Sequence, residues 1–350
     1  MDREDVILEQ VLEAVEARTP VAIHGGASKA FYAQPRSGEP LDLSGHAGIV
    51  EYDPGELVVT CRAGTPLAEL RQALAEHGQH LPFEPPAFGE KATVGGTVAC
   101  GFSGPRRPWA GSLRDYLLGV RIINGRGKAL RFGGQVMKNV AGYDVSRLMA
   151  GSLGTLGAIL ETSFKVLPKP LRERTLRFEM EQREALGQLA KWSGKPLPLS
   201  ASCWRDGQLF LRLSGAERET ARAAESLGGE AVDEADAFWR ELREHEDEFF
   251  SSGPLWRLSL PPTAEPIDLD TPCRVEWGGA QRWYVTKANP ERIRAAAASA
   301  GGHATLFRGD IDDIPRFHPQ AKGLQQLQER VREAFDPYGL FNRGLLAPKR

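Results

Sequence analysis

The chain has 350 residues, of which 41% are hydrophobic and 26% are charged, and its formal net charge is −2. This length favours two packed domains, and the apolar fraction excludes a disordered chain. The balanced charge gives the chain as a whole no electrostatic attraction to nucleic acid or to an anionic membrane, so any anion site must be local.

The spacing of the cysteines indicates whether they could bind a metal. Cys61, Cys100, Cys203 and Cys273 lie far apart in sequence, whereas zinc and iron–sulfur sites usually draw on closely spaced ligands. We therefore predict no metal site and expect free thiols.

The acidic start leads into a helical pattern over 4–17, without the features of a signal peptide, and no segment reaches membrane-spanning length. These observations predict a cytoplasmic protein.

The first half alternates short elements with glycine-rich loops. Its periodicity predicts helices over 4–17 and 66–78, and strands over 20–23, 48–52, 57–62, 117–123, 128–132 and 157–166. The sequence Asn124-Gly125-Arg126-Gly127 joins two of these strands in a hairpin. The segment Leu167-Pro168-Lys169-Pro170 cannot continue a helix or a central β-strand, since each proline removes a backbone donor. A domain boundary is therefore predicted near residue 170.

The second half changes to a pattern of helices on an antiparallel sheet. The predicted elements are strands over 173–179, 255–260, 274–277, 283–286 and 303–307, helices over 182–193, 216–227 and 290–298, and a hairpin turning at 205–207. An acidic helix is assigned to 233–250, where solvent exposure accounts for the charge. The second half is thus predicted to be α+β.

A candidate phosphate cradle follows the strand at 20–23, in the sequence His24-Gly25-Gly26-Ala27-Ser28-Lys29. Paired glycines let successive backbone N–H groups converge on an anion, Ser28 adds a hydroxyl donor and Lys29 adds charge. A simple turn is the alternative for this loop taken alone.

Two further glycine-rich segments follow. The segment 92–104 has little side-chain bulk, which indicates close backbone approach, either for tight packing or to a bound diphosphate. The glycines at 151, 154 and 157 do not form a Rossmann fingerprint, because their spacing differs and because they precede a strand where that fingerprint precedes a helix.

Together, these motifs resemble the FAD-binding domain of vanillyl-alcohol-oxidase-type (PCMH-type) flavoproteins. The resemblance rests on His24-Gly25-Gly26-Ala27-Ser28, Thr93-Val94-Gly95-Gly96-Thr97, Lys138-Asn139-Val140-Ala141-Gly142-Tyr143-Asp144 and Gly151-Ser152-Leu153-Gly154-Thr155-Leu156-Gly157, in that order. Within this group, the chain closely resembles the FAD-binding subunits of glycolate oxidase, also called glycolate dehydrogenase, at 81–86, 100–109, 131–134, 277–280, 301–305 and 341–342. The resemblance implies an α+β fold with a two-subdomain PCMH-type FAD-binding domain over 1–170. A smaller α+β cap domain with an antiparallel sheet would follow over 171–350, its C-terminal tail returning to the flavin.

The resemblance also implies which residues bind FAD. The diphosphate would contact the cradle and the second glycine segment, through Gly25, Gly26, Ala27, Ser28, Lys29, Thr93, Gly95, Gly96 and Thr97. Pro82, Ser103, Gly104 and Asn342 would lie along the flavin, and Gly157 and Ile159 at the adenine end. Covalent members attach the flavin through a histidine at the position of Ala27, so non-covalent FAD is expected.

The activity implied by the resemblance is oxidation of glycolate, or a related (R)-2-hydroxy acid, to glyoxylate or the corresponding keto acid. Hydride would pass to the flavin and electrons then to an acceptor other than a nicotinamide. The implied partners are a larger FAD-linked subunit and an iron–sulfur subunit. Any membrane contact would be peripheral, at the inner membrane through this complex.

Such a reaction needs a cation for the substrate carboxylate and a base for the hydroxyl proton. The candidates are Arg282 for the carboxylate, with Arg106 and Arg107 as further arginines, and Tyr143 and His303 for the proton. The catalytic relatives carry a histidine-rich H-G-D-G-N-x-H segment, which this sequence lacks. An alternative is therefore a non-catalytic relay or assembly subunit whose larger flavoprotein partner oxidises the substrate.

Overall fold

Two compact units make up the chain. The computed structural model describes residues 1–32, 37–134, 144–309, 311 and 314–346. The first unit comprises Met1–Ser103, Ser112–Pro168 and Pro319–Arg350, and the second comprises Gly104–Gly111 and Lys169–His318. The chain therefore passes from one unit to the other at 103/104, 111/112, 168/169 and 318/319. The division into an FAD-binding domain and a cap domain stays a prediction about what these parts do.

The first unit contains most of the short elements. Strands β1 to β9 are Val21–His24, Glu39–Asp42, Ile49–Asp53, Val58–Arg62, Gln79–His80, Leu117–Ile123, Ala129–Gly133, Ala158–Lys165 and Leu167–Pro168. Helices α1 to α6 are Glu4–Ala17, Leu67–Glu76, Val94–Cys100, Arg107–Ala110, Leu113–Tyr116 and Val145–Met149, of which α4 falls in the second unit.

Five strands of the first unit form an antiparallel sheet in the order β3-β4-β8-β6-β7, and β1 pairs with β2 in parallel. Helix α2 buries Leu67, Leu70 and Leu74, which recur at helical spacing, in the core beside this sheet. Helix α1 buries its apolar face in a second cluster that includes Ile23 of β1 and Phe341. The end of β1 is thus fixed by packing with residues near the C-terminus.

The second unit is built on one large sheet. Strands β10 to β17 are Arg172–Glu179, Leu199–Arg205, Gln208–Gly215, Glu230–Val232, Leu255–Ser259, Cys273–Glu276, Gln281–Val285 and His303–Arg308. They form an antiparallel sheet in the order β13-β10-β12-β11-β15-β16-β14-β17. Helices α7 to α10 are Gln182–Ser193, Glu217–Leu227, Asp236–Glu244 and Pro290–Ser299, and α11 (Lys322–Phe335) returns to the first unit. The antiparallel sheets with helices confirm the predicted α+β class.

Two predicted elements differ from the structure. Part of the glycine segment 92–104, predicted as a loop, is helix α3. The acidic helix predicted over 233–250 ends at Glu244, because His245 adopts a left-handed φ of 57° and its ring stacks on Phe250 with centroids 3.9 Å apart. Among the described residues, no helix combines the length and the apolar character needed to cross a membrane.

Candidate cofactor site and candidate catalytic residues

The loop after β1 presents a row of unpaired backbone donors. The N–H groups of Gly25, Gly26, Ala27 and Ser28 have no hydrogen-bond acceptor among the described residues. Ala27 has a left-handed φ of 54°, and a left-handed residue is typical of backbone nests that bind anions. Adjacent N–H donors of this kind fit an anionic group such as the diphosphate of FAD.

Two glycines of this loop are required by close approach of a second segment. A Cβ at Gly25 would lie 2.7 Å from Oγ1 of Thr93, and a Cβ at Gly26 would overlap the carbonyl oxygen of Lys91. The structure therefore brings together two of the segments that the sequence assigns to one cofactor.

Ser28 and Lys29 fasten the loop to a third segment. Oγ of Ser28 donates to the carbonyl oxygen of Ala87 at 2.8 Å, and Nζ of Lys29 donates to the same oxygen at 3.1 Å. Lys29 is buried, with an exposed fraction of 7%. The predicted hydroxyl donor is thus engaged within the protein, while the charge of Lys29 lies next to the unpaired N–H groups.

Helix α3 uses its first donors internally. The N–H of Gly95 donates to the carbonyl oxygen of Ala63 at 2.7 Å, and that of Gly96 donates to Oγ1 of the N-cap Thr93 at 3.2 Å. A Cβ at Gly95 would lie 2.6 Å from Cβ of Ala63. Oγ1 of Thr97 donates to the carbonyl oxygen of Thr93 at 2.9 Å. Tight packing, one of the two interpretations of this segment, therefore accounts for Gly95.

Asn342 joins β1 to the third glycine segment. Its Oδ1 accepts from the N–H of Ile23 at 2.7 Å, and its Nδ2 donates to the carbonyl oxygen of Leu153 at 2.7 Å. The side chain is buried, and a Cβ at Gly154 would lie 2.6 Å from Nδ2. The amide expected beside the flavin thus has partners for both polar atoms within the protein.

The third glycine segment also contacts the end of α3. The N–H groups of Gly151 and Leu153 donate to the carbonyl oxygens of Val98 and Ala99 at 2.9 and 2.8 Å. Oγ of Ser152, between these residues, is buried without a hydrogen-bond partner in the described chain. An orphaned buried hydroxyl costs free energy unless a ligand pairs with it. The sequence analysis did not single out Ser152, although a hydroxyl next to Gly151 in a glycine-rich segment was a signal for it.

The adenine-end candidates lie farther along the same segment. A Cβ at Gly157 would lie 2.7 Å from the carbonyl oxygen of Ile123, which explains the glycine, and its φ is 148°. Ile159 lies in β8 and pairs with Ile122 of β6.

The remaining flavin candidates are placed elsewhere. Pro82 is buried after β5, and Oγ of Ser103 accepts from the N–H of Leu113 at 3.0 Å. In the second unit, the carbonyl oxygen of Gly104 accepts from Nε1 of Trp277 at 3.0 Å. The hydrogen bonds of the described chain do not link Pro82, Ser103 or Gly104 to the cluster around β1. Tyr143 lies outside the described residues.

Arg282 and His303 point to opposite faces of the second sheet. Arg282 pairs with Leu258 of β14, whereas His303 pairs with the next residue, Ser259. Directly paired residues share a face and successive residues alternate, so the two side chains cannot meet at one substrate.

Each of these two side chains has its own environment. Arg282 is fully buried and donates to the carbonyl oxygens of Gly279 at 3.2 Å, Glu265 at 2.6 Å and Ala264. A carboxylate would have to displace these acceptors. Partial burial, with Arg257 nearby, lowers the pKa of His303, so its imidazole is neutral at pH 7.

The other two arginines are also engaged. Arg106 is buried and pairs with Glu173. Burial acts to raise the pKa of Glu173, but the neighbouring Arg212 and Arg106 outweigh it and lower that pKa. The guanidinium of Arg107 lies 4.5 Å from the centroid of the Trp277 ring. Within the described ranges, no group of three or more His, Cys, Asp or Glu is arranged to hold a metal ion.

Comparisons with known proteins agree with this architecture. Residues 2–133 match the FAD binding domain family. The chain is 50% identical to glycolate oxidase subunit GlcE of Escherichia coli (strain K12) over 345 residues, 98% of this chain and 97% of the relative. It is 33% identical over 175 residues to glycolate oxidase subunit GlcD of Bacillus subtilis (strain 168), covering 49% of this chain and 37% of that one.

The fold also matches a solved structure of alkyldihydroxyacetonephosphate synthase. The TM-score is 0.68 with 14% identity, over 99% of this chain and 76% of the other, which shows a shared fold alone. The family resemblance drawn from the motifs, the fold class and FAD as the cofactor are confirmed by these comparisons.

Proposed function

The chain belongs to the family of glycolate oxidase subunit GlcE, and from this membership we propose that it is the FAD-binding subunit of a multisubunit glycolate oxidase or dehydrogenase. It would oxidise glycolate, or a related (R)-2-hydroxy acid, to glyoxylate or the matching keto acid, and pass electrons to an acceptor other than a nicotinamide. The observation that carries this proposal is 50% identity to GlcE over nearly the whole of both chains.

The loop at 25–28 supports the cofactor part of the proposal. Its unpaired N–H groups would hold the diphosphate of FAD, with the charge of Lys29 beside them. Oγ of Ser152 is a further donor for the cofactor. When bound, FAD supplies a two-electron acceptor for the hydride of the hydroxy acid. Ala27 has no nucleophilic atom, so the attachment is non-covalent.

The side chains around this loop would hold it in shape before the cofactor binds. Ser28 and Lys29 tie one side to Ala87, and Asn342 ties β1 to Leu153. A cradle held by such bonds loses little conformational entropy on binding, which favours affinity.

The proposed partners are a larger FAD-linked subunit and an iron–sulfur subunit. The relatives named GlcE and GlcD are both called subunits of glycolate oxidase, which supports an assembly. We place the protein in the cytoplasm, in contact with the inner membrane only through these partners.

A second candidate function is an electron-relay or assembly subunit that binds FAD and leaves substrate oxidation to the larger partner. The arrangement of Arg282 and His303 favours it, because the two side chains lie on opposite faces and Arg282 is fully engaged with backbone carbonyls. These residues therefore offer no shared site for glycolate, and Tyr143 stays a candidate base only by resemblance.

The absorbance spectrum of the purified chain, before and after anaerobic glycolate, tests the proposal. Flavin bands that bleach with glycolate, and persist with NADH, are the expected result. Bands that bleach only after the larger subunit is added would assign oxidation to that partner and support the relay function. A chain without flavin bands would contradict both functions.

A further inference from the structure

The C-terminal tail, residues 336–346, runs beside one edge of β1. The N–H of Val21 donates to the carbonyl oxygen of Leu340 at 2.9 Å, and the N–H of Asn342 donates to the carbonyl oxygen of Val21 at 3.0 Å. These two bonds make the parallel bridge between Val21 and Phe341. Since β2 pairs with the other edge, the strand that leads into the cradle is held on both sides.

The pairing of the tail with β1 ends at the side chain of Asn342. Its Oδ1, not a backbone carbonyl, accepts from the next donor on this edge, the N–H of Ile23, at 2.7 Å. Asn342 has a left-handed φ of 44°, which ends the extended path of the backbone. Backbone donors of a strand alternate between its two edges, so the donor that follows on this edge belongs to Gly25. The tail thus ends its pairing just before the unpaired N–H groups at 25–28 begin.

Asp336, directly after α11, fixes the turn that leads to these residues. Its Oδ1 accepts from the N–H of Leu340 at 3.0 Å, and its Oδ2 accepts from the N–H of Phe341 at 2.8 Å. The side chain is buried, with an exposed fraction of 5%. The two oxygens of a carboxylate accept both bonds, whereas an amide at this position would set an NH₂ group against one of the two donors. Asp336 thus orders the two residues that precede Asn342.

The base of this turn is held against the hairpin between β6 and β7. The N–H of Gly125 donates to the carbonyl oxygen of Phe335 at 2.9 Å, and a Cβ at Gly125 would overlap Oδ1 of Asp336. The N–H of Asp336 itself donates to the carbonyl oxygen of Arg332 at 2.7 Å. The carboxylate therefore starts from a fixed position, and its two bonds transmit that position to the tail.

We propose that Asp336 is a positioning residue for FAD and that it acts through Asn342. Through the turn it places the side chain of Asn342 on Ile23, which ends the pairing with β1 and leaves the N–H groups of the cradle open for the diphosphate. Without this turn the end of β1 would sample other arrangements, and the affinity for the cofactor would fall with the fraction of chains in the competent one. The inference rests on the proposed function, because it takes the cradle as the diphosphate site.

Fluorescence titration of the flavin-free full chain with FAD tests the role of Asp336. Asp336→Asn should raise the dissociation constant by about tenfold, the size expected from one buried hydrogen bond. Tyr338→Ala is the matched control, because it alters the same turn at a half-exposed ring whose centroid lies 3.3 Å from the guanidinium of Arg18. It should leave the dissociation constant unchanged. Far-UV circular dichroism verifies that each variant is folded at the temperature of the titration.

Hydrogen exchange in the unaltered chain tests the same coupling without a substitution. If the turn supports the cradle, bound FAD must in return slow the opening of the turn, because coupling between two sites is reciprocal. The peptide over 336–345 should therefore exchange about tenfold more slowly with saturating FAD. The peptide over β3, an edge strand elsewhere in the same unit, is the reference and should keep its rate.

Three results would overturn the inference while leaving the proposed function intact. The first is equal affinity for FAD in Asp336→Asn and the unaltered chain, and the second is an equal loss of affinity in Tyr338→Ala. The third is exchange over 336–345 that FAD leaves unchanged or slows no more than it slows exchange over β3. An unaltered chain that binds no FAD would instead contradict the proposed function, and the inference with it.

Discussion

Asn342 connects three segments of the first unit through two buried hydrogen bonds, to Ile23 and Leu153. Asn342→Ala should lower the free energy of unfolding by about 3 kcal/mol, because it leaves a buried N–H and a buried C=O unpaired. Asn342→Asp isolates the lost donor, since aspartate keeps the acceptor for Ile23 and tolerates the φ of 44° but places an oxygen against the carbonyl oxygen of Leu153, so it should also be less stable than the unaltered chain. Urea unfolding measures both variants. An alanine variant as stable as the unaltered chain would contradict this role.

Glu276 is a buried carboxyl whose stability contribution depends on pH. Oε1 accepts from Nε1 of Trp283 at 2.6 Å, yet burial raises the pKa of Glu276 from an ordinary 4.5 to about 7. The folded state therefore binds this proton more tightly than the unfolded state. The contribution is fully present below pH 4.5 and is lost as pH rises to about 7, a change of about 3 kcal/mol.

Glu276→Gln should remove this part of the pH dependence, because the amide oxygen still accepts from Trp283 and carries no charge. Unfolding measured from pH 5 to 8 should show the variant gaining stability relative to the unaltered chain as pH rises. Parallel pH profiles for the two proteins would contradict the raised pKa.

Gly96 tests the position of the diphosphate. Among the described residues, a Cβ there would come within 4 Å only of Oγ1 of Thr93, at 3.1 Å, so a longer side chain has room to extend. Gly96→Glu should lose most of its FAD. The fraction of FAD that it retains should be about tenfold lower than in Gly96→Gln, because only the carboxylate repels the diphosphate. The flavin-to-protein absorbance ratio after gel filtration is the measurement. Equal retention in the two variants would contradict this placement.

The roles of individual residues were only partly predictable from the sequence. Gly25 and Gly26 stood out because glycine is needed where backbones approach closely. The bonds of Asn342 join residues that are 319 and 189 positions apart, and no local pattern encodes such contacts. Arg282 shows the same limit, because its residue type does not reveal whether backbone carbonyls already occupy its donors.

Among the elements, α11 presents an apolar stripe that is only half covered. Val331 and Phe335 pack on the first core, whereas Leu324 and Leu327 have exposed fractions of 48% and 57%. The double change Leu324→Gln and Leu327→Gln should alter the free energy of unfolding by less than about 0.5 kcal/mol, as expected for surface positions. Phe335→Ala, which removes a ring packed against Phe132, should cost about 1–3 kcal/mol. Urea unfolding compares them, and a large loss in the double variant would contradict the exposed placement.

Elements with a clear period were predictable, and those fixed by distant contacts were not. The helices at Glu4–Ala17 and Gln182–Ser193 follow their apolar spacing. Helix α3 begins at Val94 with two glycines in its first turn, which lowers helix propensity. It forms because the Thr93 cap and the contact with Ala63 compensate. Such tertiary compensation leaves no periodic signal in the sequence.

For the whole molecule, the α+β class followed from the change of pattern near 170, whereas the path of the chain did not. The segments Gly104–Gly111 and Pro319–Arg350 each join the unit that their place in sequence does not suggest. Parallel bridging of Val21 with Phe341 ties the chain's last part to its first strand. Contacts of this range depend on packing in three dimensions and require the structure.

The proposed function requires that this chain hold FAD non-covalently in the cradle after β1. Acid precipitation of the purified chain, followed by analysis of flavin in the supernatant and pellet, tests it most directly. We expect FAD in equimolar amount, recovered in the supernatant because Ala27 offers no attachment atom. Two outcomes would contradict it. One is a chain that purifies without flavin and takes up none on reconstitution, and the other is flavin that stays with the precipitated protein.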